Sequence, residues 1–430
     1  MWKSSKAIWT SAIETRREPA MISLYPHQVE NARALLTVIK AHGAALDCSE
    51  TGTGKSFTAL AVARALRLKP YVICPLSVGP AWDIKFKQAG IVGSWINYEK
   101  ARRSNFKMDK GGKHFLIFDE CHRCKAPASQ QAKMMARLTP QHPSLLLSAT
   151  PFSSPLETRA LLHSLGVRDW QRWYSLLPKL GCFQNENFHN AWMWKGRDAD
   201  IALLHEMVNP FTVKTKWSDM EGFPDNVIHA EALRVKDKDA FDKAYEALSE
   251  TNKLTEQLRQ RMIIEQHRVP AMIDMANDLL AQGVSPVAFF NFTEPLLDYA
   301  AGMDTTNVIH GETKTEDRRR IVSEFQASKV AMPIACNIRA GGEGIDLHDT
   351  TGVARVSLIS PTWSAQDLKQ ALGRIHRSGA KSKAVQRICF AAGTVEDAVL
   401  TAVNRKLSNI DKLTDKDLAV MFSPLKGGQA

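Results

Sequence analysis

The sequence lacks the features that place a protein in a membrane or outside the cell. No stretch approaches the roughly 18 consecutive apolar residues that a membrane-spanning helix needs. The first 20 residues have no apolar centre of the kind found in signal peptides, and Glu14 and Glu18 argue against a transit peptide. We therefore expect no membrane partner and a location in the cytoplasm of a bacterium or of a virus-infected cell, or in the nucleus of a eukaryote.

Cysteine is also scarce, and its arrangement does not favour cross-linking. The 430 residues include seven cysteines, an odd number at scattered positions, which is typical of a reducing compartment. Cys121 and Cys124 form one C-x-x-C pair, but no second pair lies at the spacing of a zinc site. The pattern argues against a disulfide framework and against a structural zinc centre.

Positive charge is present in excess. The 56 Lys and Arg residues outnumber the 45 Asp and Glu residues, which gives a formal net charge of +11 at pH 7. Such a balance favours a polyanionic partner, although charge alone does not identify a nucleic acid. A hydrophobic content of 44% over 430 residues is typical of a globular protein with two or three domains.

Short apolar stretches alternate with helical patterns in two separate series. The first series contains candidate strands at 43–47, 71–75, 114–120 and 144–150. The second contains candidate strands at 286–292, 306–312, 332–337, 354–360 and 385–392. Alternation of this kind predicts parallel sheets covered by helices. The expected fold class is therefore α/β, with two parallel-sheet domains in tandem.

The domain limits follow from these two series. The expected parts are an N-terminal lead at 1–20, a first domain with a helical insertion at its end at 21–225, and a second domain at 226–430. The stretch 236–266 has no glycine or proline, and apolar residues such as Leu258 and Met262 recur in it near helical spacing. We expect a long helical arm or brace over about 236–282.

The stretch CSETGTGKS follows the first apolar run and precedes a helical pattern. Gly52 and Gly54 allow the backbone to approach a ligand closely, and N–H groups at a helix start can bind phosphate. Lys55 can reach the outer phosphates of a nucleotide, and the Ser56 hydroxyl can ligate Mg²⁺. Ser49 replaces the first glycine of the usual G-x-x-x-x-G-K-[ST] pattern, but it is small. The stretch predicts a phosphate-binding loop.

An acidic pair in IFDECH ends a candidate strand. Asp119 would hold Mg²⁺ through water, while Glu120 would orient and deprotonate an attacking water. Two carboxylates at the end of a buried strand are costly without a cation nearby. The pair therefore supports the phosphate loop, and together they predict an ATP and Mg²⁺ site.

With these motifs the sequence resembles the superfamily 2 helicase-like ATPases, and within them the SWI/SNF-type branch, over about residues 21–400. The matching segments, in order, are LYPHQVE, PLSVGPAW, DECHRCK, SATPFSSPLETRALLHSLG, FFNFTEPLLDYA, HGETKTEDRRRIVSEFQ, NIRAGGEGIDL and QALGRIHRSG. The resemblance implies two RecA-like domains that use ATP and Mg²⁺. It also implies a DNA partner, duplex or branched in preference to RNA, with the protein acting as a monomer on DNA.

The resemblance further implies which residues form the sites. Arg374 and Arg377 are three residues apart, so we expect them on nearly the same helix face, from which such arginines reach the γ-phosphate across the domain interface. The implied catalytic residues are Lys55, Asp119, Glu120, Gln370, Arg374 and Arg377. The implied cofactor-binding residues are Gln28, Thr51, Gly52, Thr53, Gly54, Lys55, Ser56, Asp119, Gly344 and Asp346, of which Ser56 and Asp119 hold the metal. The implied nucleic-acid-binding residues are Pro75, Leu76, Ser77, Arg123, Phe292, Thr293, His310, Gly311, Arg339, Ala340 and Gly341.

Two further residues have an expected place without belonging to these sets. His122, next to the acidic pair, is expected to relay to the second domain. Trp363 either stacks on nucleic acid or packs at the cleft between the domains.

Three functions remain open at this stage. The first is an ATP-dependent DNA translocase or helicase that remodels branched DNA by fork reversal, branch migration or annealing, in replication, recombination or repair. The second is a strand-separating DNA or RNA helicase, which Ser148-Ala149-Thr150 and Asp346 favour, because the SWI/SNF-type branch usually has Gly and Asn there. The third is a nucleic-acid-binding adaptor without turnover, against which Lys55, Glu120 and Arg374 argue.

Overall fold

The computed structural model describes residues 24–103, 106, 114–217, 220, 225–233, 253–341, 345–362, 364–391, 394, 396 and 401. Several expectations lie outside these residues: the lead at 1–20, the beginning of the predicted arm at 236–252, Gly344 and Trp363. Over the described ranges, none of the helices has the length and apolar composition of a membrane span.

The first lobe is a parallel sheet of six strands in the order β3-β2-β4-β5-β1-β8, with helices on both faces. Its strands, including the separate hairpin of β6 and β7, are β1 (Ala44–Asp47), β2 (Lys69–Cys74), β3 (Ser94–Asn97), β4 (His114–Asp119), β5 (Ser144–Leu147), β6 (Cys182–Asn185), β7 (Ala191–Trp194) and β8 (Thr212–Val213). Its helices are α1 (Pro26–His42), α2 (Lys55–Leu66), α3 (Gly79–Ala89), α4 (Tyr98–Ala101), α5 (Gln130–Leu138), α6 (Arg159–Ser164) and α7 (Asp198–Val208).

The apolar strands of this lobe bury side chains on both faces of the sheet. In β1, Ala44 and Leu46 belong to the core on one face, while Ala45 belongs to the core on the other face. Successive side chains of a strand point to opposite faces. A strand that is covered on both faces therefore has a continuous apolar sequence, as residues 44–46 of β1 do.

The second lobe repeats the architecture with strands in the order β11-β12-β10-β13-β14-β9, all parallel. Its strands are β9 (Asn226–Leu233), β10 (Ser285–Phe290), β11 (Val308–Ile309), β12 (Ile334–Asn337), β13 (Arg355–Ile359) and β14 (Ala384–Ala391). Its helices are α8 (Lys253–Ala281), α9 (Thr293–Gly302), α10 (Thr315–Ala327), α11 (Ile338–Gly341) and α12 (Ala365–Leu372). The α/β prediction with two parallel sheets in tandem is confirmed.

Several elements differ from the expectations. The strands β3, β8 and β9 were not predicted, since the first two are very short and β9 is a half-buried edge strand. The predicted strand at 306–312 shrinks to the two residues of β11. In α8, Val269 and Met272 enter the core of the lobe, whereas Leu258 and Met262 are exposed. The described part of this helix is therefore a brace against the sheet.

Candidate nucleotide site and inter-lobe cleft

The phosphate loop and the acidic pair lie at the same edge of the first sheet. Strand β5 lies between β1 and β4, and Leu147 is in register with Asp47 on one side and with Asp119 on the other. Because the carboxyl ends of parallel strands meet at one edge, the segments that follow β1, β4 and β5 converge there. The order of strands thus brings together motifs that are far apart in the sequence.

The phosphate loop depends on glycine at two positions. Gly52 and Gly54 have φ values of 82° and 85°, in the left-handed region that favours glycine. A Cβ atom at Gly54 would collide with the side-chain amide of Gln28. Directly after Gly54 the chain enters α2, so the N–H groups of its first turn face the loop. The Lys55 ammonium donates to the carbonyl oxygens of Ser49 and Glu50 at 2.7 and 2.9 Å.

Two buried polar side chains hold this loop in place. Asp47 accepts a hydrogen bond from the Ser49 N–H at 2.9 Å, and burial raises the pKa of Asp47 while the charge of Lys55 lowers it. Gln28, the implied adenine contact, donates to the Thr53 carbonyl at 3.2 Å and accepts from the Tyr25 N–H at 3.0 Å. Gln28 therefore ties the start of α1 to the loop.

Asp119 is held by a tryptophan from the helix after β2. The indole N–H of Trp82 donates to its carboxylate at 2.9 Å. Burial raises the pKa of Asp119, and the negative charge of Glu120 raises it further. The pKa of Asp119 is thus raised, whereas the pKa of its neighbour Glu120 is lowered, although both belong to one motif.

Glu120 lies in a turn after β4 with φ 56°, a conformation that costs a non-glycine residue about 1–3 kcal/mol. Its carboxylate lies 3.2 Å from Nδ1 of His122, which is also 3.2 Å from the Ser148 hydroxyl. Burial by itself would raise the pKa of Glu120, but His122, Lys55 and Arg374 lower it to about 2. Glu120 is therefore ionised at neutral pH.

His122 was expected to relay to the second lobe. Its two contacts described above, with Glu120 and Ser148, lie within the first lobe, where they join the acidic motif to the segment after β5. The position of His122 between two strand ends explains this, because both partners emerge at the same sheet edge.

The arginines of the second lobe do not lie on a helix. The spacing predicted a shared helix face, but α12 ends at Leu372 and Gly373 caps it, so Arg374 and Arg377 follow in a turn and the loop after it. Arg374 is buried and donates to the Ile345 carbonyl at 2.9 Å. Arg377 pairs with Asp346 at 2.9 Å. Backbone and side-chain oxygens of one segment, 345–346, thus orient both guanidinium groups.

This turn packs directly on the phosphate loop of the first lobe. A Cβ atom at Gly373 would collide with the Thr51 hydroxyl, and one at Gly52 would lie 3.2 Å from Cγ of Arg377. The charge of Arg374 also contributes to the low pKa of Glu120. The structure therefore brings Lys55, the acidic pair and both arginines into one site at the boundary of the lobes.

The residues at this boundary fit a nucleoside triphosphate with Mg²⁺. The side-chain atoms Oγ1 of Thr51, Nε2 of Gln370 and Nε of Arg377 are buried and have no hydrogen-bond partner among the described residues. Buried polar atoms normally have hydrogen-bond partners. Three buried polar atoms without a partner at one boundary therefore indicate a place for a polar ligand. The Ser56 hydroxyl and the Asp119 carboxylate supply the hard oxygen ligands that Mg²⁺ prefers.

Trp217 is a contact residue at this site that the sequence analysis missed. Its backbone N–H donates to the Glu50 carboxylate at 2.6 Å and its indole N–H donates to the Thr51 carbonyl at 2.8 Å. Its ring meets the His376 ring edge-on, with centroids 4.2 Å apart. Trp217 thus contacts the phosphate loop and the arginine-bearing turn at once. No local signal indicates this, since its loop partners are more than 160 residues away in the sequence.

A cavity of about 440 Å³ opens between the lobes at the carboxyl ends of both sheets. The first lobe contributes Lys125, Thr150, Phe152, Ser153 and Glu157. The second contributes Leu258, Arg261, Asn291, Phe292, Asn337, Ile338, Arg339, Thr362, Ser364, Gln366 and Asp367. A hydrogen bond of 3.3 Å from Lys125 to Gln366 joins the two sides.

Of the residues implied to bind nucleic acid, Phe292 and Arg339 belong to this lining, and Arg339 is 87% exposed. The other residues of this set follow strands elsewhere in the two lobes. Leu76 is exposed after β2, and Arg123 lies 3.8 Å from Glu99. Pro75 and Ser77 flank Leu76, Thr293 begins α9, and His310 and Gly311 follow β11. Ala340 and Gly341 end α11.

Comparison with known proteins identifies two family matches. Residues 86–273 match the SNF2-related domain, and residues 272–379 match the helicase conserved C-terminal domain. The first match begins after the phosphate loop, so the loop is assigned from its own sequence and geometry.

Individual relatives cover most of this chain. A protein of Acanthamoeba polyphaga mimivirus named as an ATP-dependent RNA helicase, L364, is 29% identical over 92% of this chain and 84% of its own length. The ISWI chromatin-remodeling complex ATPase ISW1 of Saccharomyces cerevisiae is 22% identical over 93% of this chain, which spans 41% of that protein. The solved SWI2/SNF2 ATPase core of Sulfolobus solfataricus in complex with dsDNA is 16% identical, with a TM-score of 0.41 over 91% of this chain and 93% of that one.

Proposed function

Because the chain belongs to the SWI/SNF-type branch of the superfamily 2 helicase-like ATPases and hydrolyses ATP, we propose that it is a motor that translocates on duplex DNA and moves branch points. The observation that supports this most is the packing of Gly373 and Arg377 of the second lobe on the phosphate loop of the first. A nucleotide bound there touches both lobes, so its hydrolysis changes how the lobes are held together.

Each residue of the site has a role in hydrolysis that its position supports. Lys55 and the backbone of the phosphate loop bind the phosphates. Ser56 and Asp119 would hold Mg²⁺, which when bound neutralises negative charge on the phosphate oxygens. The ionised Glu120 orients the attacking water and accepts its proton as the bond to phosphorus forms. Arg374 and Arg377 stabilise the charge that develops on the transferred phosphoryl group.

Movement would come from the link between this site and the cavity. Both lie between the same two lobes, and Lys125 and Gln366 meet across the cavity. When hydrolysis removes the γ-phosphate, the arginines lose their charge partner and the lobes can separate. A strand bound in the cavity then loses contacts to one lobe before the other, which permits a step along the polymer.

The lining of the cavity supports a nucleic-acid partner. The lining has three cations, Lys125, Arg261 and Arg339, against two carboxylates, Glu157 and Asp367, so its net charge is positive. The guanidinium of Arg261 lies 5.9 Å from the ring of Phe292. Phosphate contacts give such binding a strong dependence on salt, whereas aromatic rings stack on bases. We propose duplex or branched DNA as the substrate, bound by a monomer, and a role in replication, recombination or repair.

A strand-separating helicase on DNA or RNA is the second candidate. It is favoured by the mimivirus relative, whose name is that of an RNA helicase and whose similarity extends over 92% of this chain.

The deciding experiment compares ATPase rates at fixed salt and Mg²⁺ on single strands, duplex DNA, forks, four-way junctions and RNA. We expect the largest stimulation with duplex or branched DNA, and none with any polymer in Lys55→Ala. Equal rates with and without duplex or branched DNA would overturn the proposal. Stimulation by RNA alone, with unwinding of a tailed duplex, would establish the second candidate.

A further inference from the structure

A lysine of the chain reaches the place assigned to the metal. Lys85 lies on α3, and its ammonium donates to the Ser56 hydroxyl oxygen at 2.8 Å. The same ammonium lies 5.0 Å from the centre of the Trp82 ring. Ser56 is the residue whose oxygen the phosphate-loop pattern assigns to Mg²⁺.

Trp82 connects this lysine to the second metal ligand. While its ring face lies against Lys85, its indole N–H donates to the Asp119 carboxylate at 2.9 Å. The ammonium thus contacts Ser56 directly and is linked to Asp119 through the indole of Trp82, so it borders both residues that are proposed to hold the metal.

We propose that Lys85 competes with Mg²⁺ for Ser56 and Asp119, and so sets the Mg²⁺ concentration at which nucleotide binds. The inference rests on the proposed function, because it takes these two residues as the metal ligands. A divalent cation and an ammonium repel each other at short range, so metal binding must move the ammonium away. The four-carbon stem of lysine makes that movement feasible.

The test measures binding, not turnover. A fluorescent, non-hydrolysable ATP analogue is titrated onto the full chain at increasing Mg²⁺ concentrations, for the wild type and for Lys85→Met, which keeps the length but removes the charge. We expect half-maximal binding of the variant at about fivefold less Mg²⁺. Lys87→Met is the matched control, since Lys87 is exposed on the same helix, and its Mg²⁺ dependence should equal that of the wild type.

Two results would overturn the inference. One is an unchanged or higher Mg²⁺ requirement in Lys85→Met, and the other is weaker analogue binding at saturating Mg²⁺, which would make Lys85 a nucleotide ligand. Lys85→Arg keeps the positive charge and should retain the wild-type requirement, which separates loss of charge from a disturbed fold. Wild-type binding that is the same with and without Mg²⁺ would instead refute the metal ligands of the proposed function itself.

Discussion

The two lobes share one architecture but present opposite chemistry to each other. The edge of the first sheet carries Lys55 with the carboxylates of Asp119 and Glu120, each held by side chains of its own lobe such as Trp82 and His122. The second lobe presents the guanidinium groups of Arg374 and Arg377, which are oriented by contacts with the segment 345–346.

This contrast shows how one fold, used twice, makes a site that neither copy contains. In the proposed function the first lobe holds the phosphates and the water, and Arg374 and Arg377 of the second lobe supply the charge at the far side of the γ-phosphate. On this proposal a nucleotide makes all its contacts only while the lobes touch. Comparison of variants from the two lobes therefore separates binding from turnover.

Changes in the first lobe should have the largest effect. Lys55→Ala removes the phosphate-binding ammonium, and Glu120→Gln removes the charge that orients the water, so each should lower kcat by about 10³ or more. Lys55→Ala should also bind nucleotide more weakly, because Lys55 contacts the phosphates. Glu120→Gln should keep its nucleotide affinity, because Glu120 acts on the attacking water. Steady-state ATPase rates and analogue binding measure the two effects. Glu99→Gln, an exposed acid near the site, is the control. Full turnover in Glu120→Gln would refute its role.

Changes in the second lobe should reduce turnover while sparing binding. Arg374→Ala and Arg377→Ala remove charge that is used in the transition state, so we expect kcat to fall by about 10²–10³ with little change in analogue or DNA affinity. Arg374→Ala should be the more severe, since its side chain is buried against Ile345 and near Glu120. Lys381→Ala, an exposed cation nearby, should behave as wild type. Loss of analogue affinity equal to that of Lys55→Ala would contradict the division between the lobes.

Trp217 tests whether the contact between the lobes itself matters. Trp217→Ala removes the hydrogen bond to Thr51 and the ring contact with His376, and we expect kcat to fall about tenfold. Trp217→Phe keeps a ring against His376 but loses the N–H donor, so it should fall by about threefold. The measurement is kcat and KM for ATP with saturating DNA. If kcat falls equally in both variants, the ring contact with His376 contributes nothing to turnover, and only the hydrogen bond from the Trp217 indole to Thr51 is important.

The sequence indicated which motifs meet at the site more readily than the packing that brings them together. The phosphate loop, the acidic pair and the family are readable because residue type and short spacing encode them, and the family assignment is confirmed by the two matches. The end of α12 at Leu372 and the contact of Trp217 with Thr51 could not be read in this way. Both depend on packing between segments that are distant in the sequence, where local periodicity carries no information.

The smallest expected effect concerns His122, which acts on Glu120 within the first lobe. Glu120 has a pKa of about 2 because His122, Lys55 and Arg374 outweigh the opposite effect of burial. His122→Asn removes the hydrogen bond and charge of His122, so the pKa of Glu120 should rise while staying below 7. At pH 7, kcat should fall by no more than about threefold.

The pH profile of kcat is more sensitive to this change than the rate at pH 7. As pH falls, a carboxylate with a raised pKa is protonated earlier, so the acid limb of kcat should move to higher pH. His163→Asn, on α6 away from the acidic motif, should leave the profile unchanged. An acid limb that does not move in His122→Asn would show that another group controls it.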